Sequence, residues 1–417
     1  MSGGRLPRIV VIGAGIVGLC CAHHLRDGGF EVVVIDRDPA GDKASIGNAG
    51  GIAVTEILPA SSPGVLWQVP RWLADPLGPL ALRPLHAWRL GPWLWRFVRS
   101  GLRQESDRIV TALAALNARV YDDLKPLMQR VGLAGDLHEV GALAVYESDA
   151  GLARDRSGWE RRRSHGIVCR TMSGDEARAL EPALGPAVRY AVLLPAWSHL
   201  SDPRALLDAL RTSLIESGVE IVTGEAVDIV AEGTRSTVRL SGGGTTTADA
   251  AVIAAGAWSA ALARRIGDRA VLESERGYNV TIPEPGFALR REVIFAEHHF
   301  VATPLSVGLR IGGAAEFAGL AAPPNFARSR ALLTLARRYL PLLGDRTGCP
   351  WMGHRPATPD SLPVIDRSPK QPGVFYAFGH GHLGLTQAAS TGRLILDLIT
   401  GAPVPIDMQP FAIERFA

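Results

Sequence analysis

The stretch Arg8–Asp38, RIVVIGAGIVGLCCAHHLRDGGFEVVVIDRD, decides the fold. Ile9–Ile12 is apolar and β-branched throughout, the composition of a parallel strand covered on both faces. Gly13, Gly15 and Gly18 follow as GxGxxG. Gly13 permits a tight turn. Gly15, flanked by Ala14, Ile16 and Val17, lets the backbone approach a pyrophosphate, and Gly18 lets the following helix pack on the strand. The N-terminus of that helix offers N–H groups and a positive dipole end to phosphates, and Gly28-Gly29 ends it. Glu31–Ile35 is a second strand, with Asp36 and Arg37 at its end. A carboxylate there accepts both hydroxyls of an adenosine ribose and repels a 2′-phosphate, which disfavours NADP. Strand, glycine turn, helix and acid in this order indicate a dinucleotide site in an α/β fold. His23 and His24 lie inside the same helix and read as helix residues without a chemical role.

Composition sets the frame around that motif. With 417 residues the chain has the length of two or three domains, and 47% hydrophobic with 20% charged residues excludes a disordered chain. A net charge of +3 is too small to suggest a nucleic-acid partner. The four cysteines, Cys20, Cys21, Cys169 and Cys349, form no CxxC pair and no metal-binding spacing, so no metal is expected and a reducing compartment is. The apolar run Ile9–Ile12 is shorter than a secretory core, and no apolar stretch approaches roughly eighteen residues, so a cytoplasmic location is expected.

Three later segments separate FAD from NAD. SIGNAGGI, Ser45–Ile52, brings Ser45, Asn48, Ala49, Gly50 and Gly51 into a loop of small residues that can pass close to a flat ring system. ADAAVIAAGAWS, Ala248–Ser259, is an apolar strand that delivers Ala255, Gly256 and Trp258. Near the C-terminus, Val374–Phe378 reads as a strand. Gly379, Gly381, His382, Leu383 and Gly384 form a glycine-punctuated turn, and Leu385 and Thr386 lead into a helix ended by Gly401. A helix N-terminus aimed at the flavin N1–C2=O edge would stabilise the reduced anionic flavin.

The order of these segments resembles the glycine oxidase / D-amino-acid dehydrogenase family of flavoproteins over nearly the whole chain. The resemblance rests on VVIGAGIVGL, SIGNAGGI, the Ser201-Asp202-Pro203 helix start, AVIAAGAWS, ERGYNVTIP, GHRPATPDSLPVID and FGHGHLGLTQAASTGRLI. In pattern it is similar to the bacterial D-amino-acid dehydrogenases, including those acting on D-proline or D-hydroxyproline. It implies a Rossmann-like FAD-binding domain assembled from discontinuous segments, plus an α+β substrate domain with a mostly antiparallel sheet. The segments expected for FAD are 1–135, 199–268 and 349–417; those for substrate are 136–198 and 269–348. The resemblance adds Val227 and Gly353 to the FAD contacts. Non-covalent FAD is expected, because Cys349, the cysteine nearest the active-site motif, stands away from where covalent relatives attach theirs.

The same resemblance assigns Arg355 to a substrate carboxylate, which a guanidinium grips with two parallel hydrogen bonds. The competing reading pairs Arg355 with an acid such as Asp360. Tyr278, His298, His299 and His382 are further candidates. Neighbours on a strand face opposite sides, so one of the two adjacent histidines is expected to reach the site. The implied reaction is oxidation of a small D-amino acid (D-alanine, D-proline or cis-4-hydroxy-D-proline) to its imine, by hydride transfer from Cα to flavin N5. A quinone or carrier protein would take the electrons. Two alternatives are an oxygen-using glycine or sarcosine oxidase and a flavoprotein subunit of an electron-transfer complex.

Residues 67–100 stand apart. Trp67, Trp72, Trp88, Trp93 and Trp95 alternate with Arg71, Arg83, Arg89, Arg96 and Arg99, a mixture suited to the headgroup depth of a membrane. One reading is a peripheral contact with the inner face of the plasma membrane. The other is a substrate lid or packed excursion, since Pro70, Pro76, Pro79, Pro84 and Pro92 break any single long amphipathic helix.

Overall fold

The computed structural model describes residues 6–61, 78, 80–232 and 235–417. Trp67 and Trp72, with Arg71, Pro70, Pro76 and Pro79, lie outside the described residues.

Among the described residues the first sheet has six strands, in the order Glu220–Thr223, Glu31–Asp36, Arg8–Ile12, Ala250–Ile253, Val374–Phe378, Val364–Arg367. All neighbours are parallel except the last pair. Ile9–Ile12 and Val32–Ile35 are buried, as double-faced strands of β-branched residues should be. Helix Ile16–Asp27 crosses from the first strand to the second, and Gly384–Thr400 packs along it on the same face. The Ser-Asp-Pro sequence starts helix Pro203–Glu216: Pro203 occupies the first turn, and the Asp202 carboxylate accepts the Arg204 N–H at 2.8 Å.

The second large sheet has nine strands among the described residues. Its main path runs Cys349–Ala357, Glu273–Ile282, Gly308–Phe317, Phe300–Leu305, Glu292–Phe295, Ala142–Tyr146, Tyr190–Leu194, Arg170–Ser173, and Leu80–Leu82 pairs with Gly308–Phe317. It is antiparallel except where Glu292–Phe295 meets Ala142–Val145 and where Leu80–Leu82 meets Ala315–Phe317. Two strands depart from the expected division. Cys349–Ala357 was assigned with the nucleotide-binding segments, yet it hydrogen-bonds along Glu273–Thr281. Leu80–Leu82, inside the first nucleotide-binding segment, also joins this sheet. Both are edge additions whose partners lie about 70 or more residues away, a pairing that local pattern does not encode.

Helix Ala327–Tyr339 covers the outer face of this sheet, where Tyr278, Val280, Ile282, Leu333 and Tyr339 form a second core. The inner face turns toward the nucleotide-binding sheet. The tryptophan-rich stretch does contain a helix, Gly91–Ser100, which Pro92 begins rather than breaks.

Candidate active site

The nucleotide end is built by close backbone approach. Gly13 has φ +115°, and a Cβ there would stand 2.4 Å from the Ala254 carbonyl oxygen. A Cβ on Gly18 would lie 1.9 Å from the Gly13 carbonyl oxygen. Helix Ile16–Asp27 carries no cap from its own N-cap residue, Gly15; the Ile16 N–H instead donates to Ser45 Oγ at 3.1 Å. Asp36 ends its strand with one carboxylate oxygen accepting the Ala14 N–H at 2.8 Å. The other accepts the Asp38 N–H at 2.8 Å and Lys43 Nζ at 3.1 Å. Arg37 lies over the Trp258 ring, 3.8 Å from its centroid.

FAD fits this arrangement. A Cβ on Gly15 would find Ser45 Oγ first, at 3.8 Å, and around Gly256 and Gly381 nothing stands within 4 Å. All three line a cavity of ≈ 1390 Å³, above the roughly 300–1,000 Å³ of drug-sized pockets, with room for a dinucleotide and a substrate together. Gly13, Ile16, Val17, Asp36, Arg37, Ser45, Asn48, Ala49, Gly51, Val227, Ala255, Trp258, Gly353, Leu383, Gly384 and Leu385 share its wall. None of the four cysteines does. Five expected contacts stand behind the wall instead. Ala14 and Gly18 are consumed in the turn just described. The Gly50 N–H donates to Asn48 Oδ1 at 2.8 Å, Gly379 lies against Thr358, and Thr386 Oγ1 accepts the Ala53 N–H at 2.9 Å. They shape the backbone of the loops that line the cavity.

At the other end Arg355, His299 and His382 line the same cavity. Arg355 does not pair with Asp360, which holds Arg415 at 2.8 Å. Its Nη1 donates to Glu275 at 2.9 Å, and the guanidinium lies flat against Gly277, where a Cβ would come within 2.5 Å. Strand alternation places Glu275, Gly277 and Asn279 toward the cavity. Tyr278 also borders the cavity, while its phenol reaches into the second core. The phenol packs edge-on to Phe326, donates to Glu316 and accepts the Asn325 N–H at 3.0 Å.

His298 and His299 are not on a strand. A short turn, Ala296–His298, is followed by His299 in the left-handed region at φ 55°. The reversal sends His299 to the cavity and His298 to Glu147, with Nε2 at 3.4 Å. Burial lowers the His299 pKa to about 4, helped by His298. His382 is exposed to the cavity, and its withdrawal from bulk water lowers its pKa also. Both are neutral at pH 7.

Sequence reasoning missed Lys43, Glu275 and Glu292. Glu275 was legible, two residues before Gly277 on the same strand face. Glu292 had no signal. It is 2% exposed, lines the cavity and accepts the Trp197 indole N–H at 3.1 Å. Burial, seconded by nearby Glu56, pushes its carboxyl up to about 8. The folded state thus binds this proton more tightly than the unfolded chain, so folding stability falls as pH rises from 4.5 toward about 8. Glu292→Gln is expected to flatten that fall. Melting temperatures of both proteins at about pH 5 and pH 8 check it; an unchanged difference would place the titration elsewhere.

Comparison with known proteins supports the cofactor reading. The family model for FAD dependent oxidoreductases (DAO) matches residues 8–398. A D-amino-acid oxidase of Bradyrhizobium diazoefficiens is 34% identical over 430 aligned positions, covering 100% of both chains. A D-amino acid dehydrogenase of Paramagnetospirillum magneticum is 34% identical and covers 98% of this chain and 99% of its own. The crystal structure of glycine oxidase from Geobacillus kaustophilus superposes with a TM-score of 0.76 at 24% identity, covering 98% of each chain. The fingerprint turn, the open glycines and the shared cavity are thus those of a flavoprotein enzyme, and the chain belongs to the FAD dependent oxidoreductase family.

Proposed function

We propose that the chain oxidises a free D-amino acid at its Cα–N bond and delivers the electrons to a membrane quinone. The observation that carries the reading is Arg355, whose guanidinium faces the same cavity as the dinucleotide cradle. The relatives named D-amino-acid oxidase and D-amino acid dehydrogenase supply the substrate class. In the division of labour that follows, the six-stranded sheet carries the cofactor, through segments of 6–61, 199–268 and 358–417. The nine-stranded sheet carries the substrate.

Arg355 holds the substrate carboxylate through its remaining N–H groups while Glu275 fixes its plane. Neutral His299 and His382 add no second positive charge beside it, and their depressed basicity means that the substrate reacts as its neutral amine, its ammonium proton having gone to solvent. Bound FAD supplies the acceptor for the hydride leaving Cα. The apolar walls keep water from the reacting carbon until the imine is formed, after which water hydrolyses it.

Helix Gly91–Ser100 favours the quinone over oxygen. Trp88, Trp95, Val98 and Leu102 are 73%, 57%, 52% and 58% exposed, while Arg89 and Arg99 stand over Trp88 and Trp95 at 4.9 and 4.7 Å. Between Glu56 and Glu105 the sequence holds one acid, Asp75, against six arginines. That combination suits an anionic lipid surface. Leu94 and Val98 also line the cavity, so the same helix joins the surface to the site. No helix among the described residues is long and apolar enough to cross a membrane. After anaerobic bleaching by a D-amino acid, a soluble quinone should reoxidise the protein much faster than air. It should also sediment with anionic vesicles, and Trp95→Ser should lower the bound fraction. Fast reoxidation by air with no vesicle binding would favour the oxidase alternative.

A further inference from the structure

The cavity continues past Arg355. Ala357 lies two residues along on the same strand face, roughly 7 Å away at strand spacing. Its carbonyl accepts the Trp93 indole N–H at 3.0 Å. Trp93 stacks on Phe97 and tilts against Phe317, each at 5.0 Å between ring centroids. The sheet register brings these groups beside the guanidinium: Arg355 pairs with Glu275, Glu275 with Phe317, and Gly277 with Ala315. Leu80 and Leu82 extend the wall from the next strand, opposite Ala315 and Phe317, and Leu90, just before the helix, belongs to the same apolar cluster. Leu80, Leu82, Leu90, Trp93, Phe97 and Phe317 all line the cavity, and together they form an apolar gallery that begins one residue pair from the guanidinium.

Resting on the amino-acid reading above, we propose that the substrate carries a large apolar side chain, branched aliphatic or aromatic. The gallery receives that side chain while Arg355 holds the carboxylate. Reach decides between side chains. By ordinary bond lengths the β-carbon of an amino acid lies roughly 2.5 Å and its γ-carbons about 4 Å from the carboxylate carbon, so a methyl group reaches least far along the wall from the clamp. An isobutyl or benzyl group reaches further and leaves water for carbon. Polar side chains gain nothing there, because the wall presents rings and methyl groups. The substrate is therefore bulkier than the glycine, D-alanine or D-proline that the sequence brought forward.

The test is a comparison of kcat/KM for the purified flavin-loaded protein with an artificial acceptor across glycine, D-alanine, D-proline, D-aspartate, D-leucine and D-phenylalanine. D-Leucine and D-phenylalanine should exceed D-alanine by about tenfold or more, the discrimination that a hydrophobic pocket gives for added carbons. Phe97→Ala should lower the D-phenylalanine to D-alanine ratio by about tenfold, and the milder Phe97→Leu, for use if the first variant loses its flavin, by a few-fold. A maximum at glycine, D-alanine or D-proline, or a ratio that neither variant changes, overturns the proposal while leaving amino-acid oxidation intact. Failure of every compound to bleach the flavin overturns the amino-acid reading instead.

Discussion

Arg355→Ala is expected to raise KM for the amino-acid substrate by about thirty- to several-thousand-fold, the roughly 2–5 kcal/mol lost when one partner of a buried charge pair is removed. Two effects add. The substrate carboxylate loses its paired donors, and Glu275, now 2.9 Å from Arg355 Nη1, is left facing the cavity without its cation. The carboxylate sits away from the bond that breaks and is held alike in ground and transition states, so the loss should fall on KM more than on kcat. Arg355→Lys should recover a minority of it, because an ammonium cannot form the planar two-bond grip. Glu275→Gln separates the roles: it keeps the guanidinium and removes the repulsion, so its KM should stay within a few-fold of wild type. Steady-state kinetics with an artificial acceptor, on variants whose flavin spectrum is intact, decide the matter. An unchanged KM in Arg355→Ala removes that residue from the site.

The fingerprint glycines should fail in two different ways. Gly18→Ala places a methyl 1.9 Å from the Gly13 carbonyl oxygen, and that oxygen belongs to a turn fixed by the Gly13 N–H donating to the Ile35 carbonyl at 2.8 Å. Neither side can yield, so a cost of about 3 kcal/mol or more is expected, with a melting temperature several degrees lower even without cofactor. Gly15→Ala meets nothing closer than 3.8 Å and should leave the apoprotein's melting temperature unchanged. It should nevertheless weaken FAD binding about a hundredfold or more, because the new methyl occupies the space through which the backbone approaches the pyrophosphate. Thermal melts of the apoproteins, with absorbance of the reconstituted proteins, distinguish the two. A Gly15→Ala protein that holds FAD as tightly as wild type would move the pyrophosphate elsewhere.

The nucleotide end was legible in the sequence because its information is local. Turn, helix start and acceptor carboxylate fall within Arg8–Asp38, and the Ser-Asp-Pro helix start is readable in three residues. The substrate end depends on pairings between distant strands. Tyr278 shows the difficulty: the strand was identified, but which face meets the cavity is set by tertiary packing, and a one-residue offset exchanges Tyr278 for Gly277. The alternation of Tyr278, Val280 and Ile282 marks the core face in retrospect. The turn at His299 carries no glycine or asparagine, the usual marks of a left-handed residue, so a strand was the natural reading there. Glu292 and the Trp93–Phe317 contact join segments that nothing in the local pattern links.

The six-stranded sheet has a consequence for synthesis. Its central strands, Arg8–Ile12 and Ala250–Ile253, pair with each other, yet the next neighbour, Val374–Phe378, belongs to the last tenth or so of the chain. The ribosome therefore releases most of the polypeptide before this layer can close. Until then Ala250–Ile253 presents an apolar edge to solvent for the time that more than a hundred further residues take to be made, roughly 6–25 s at ordinary elongation rates. Nascent chains of this protein should be clients of holding chaperones, and shortening at the C-terminus should harm yield far more than the few contacts removed would suggest.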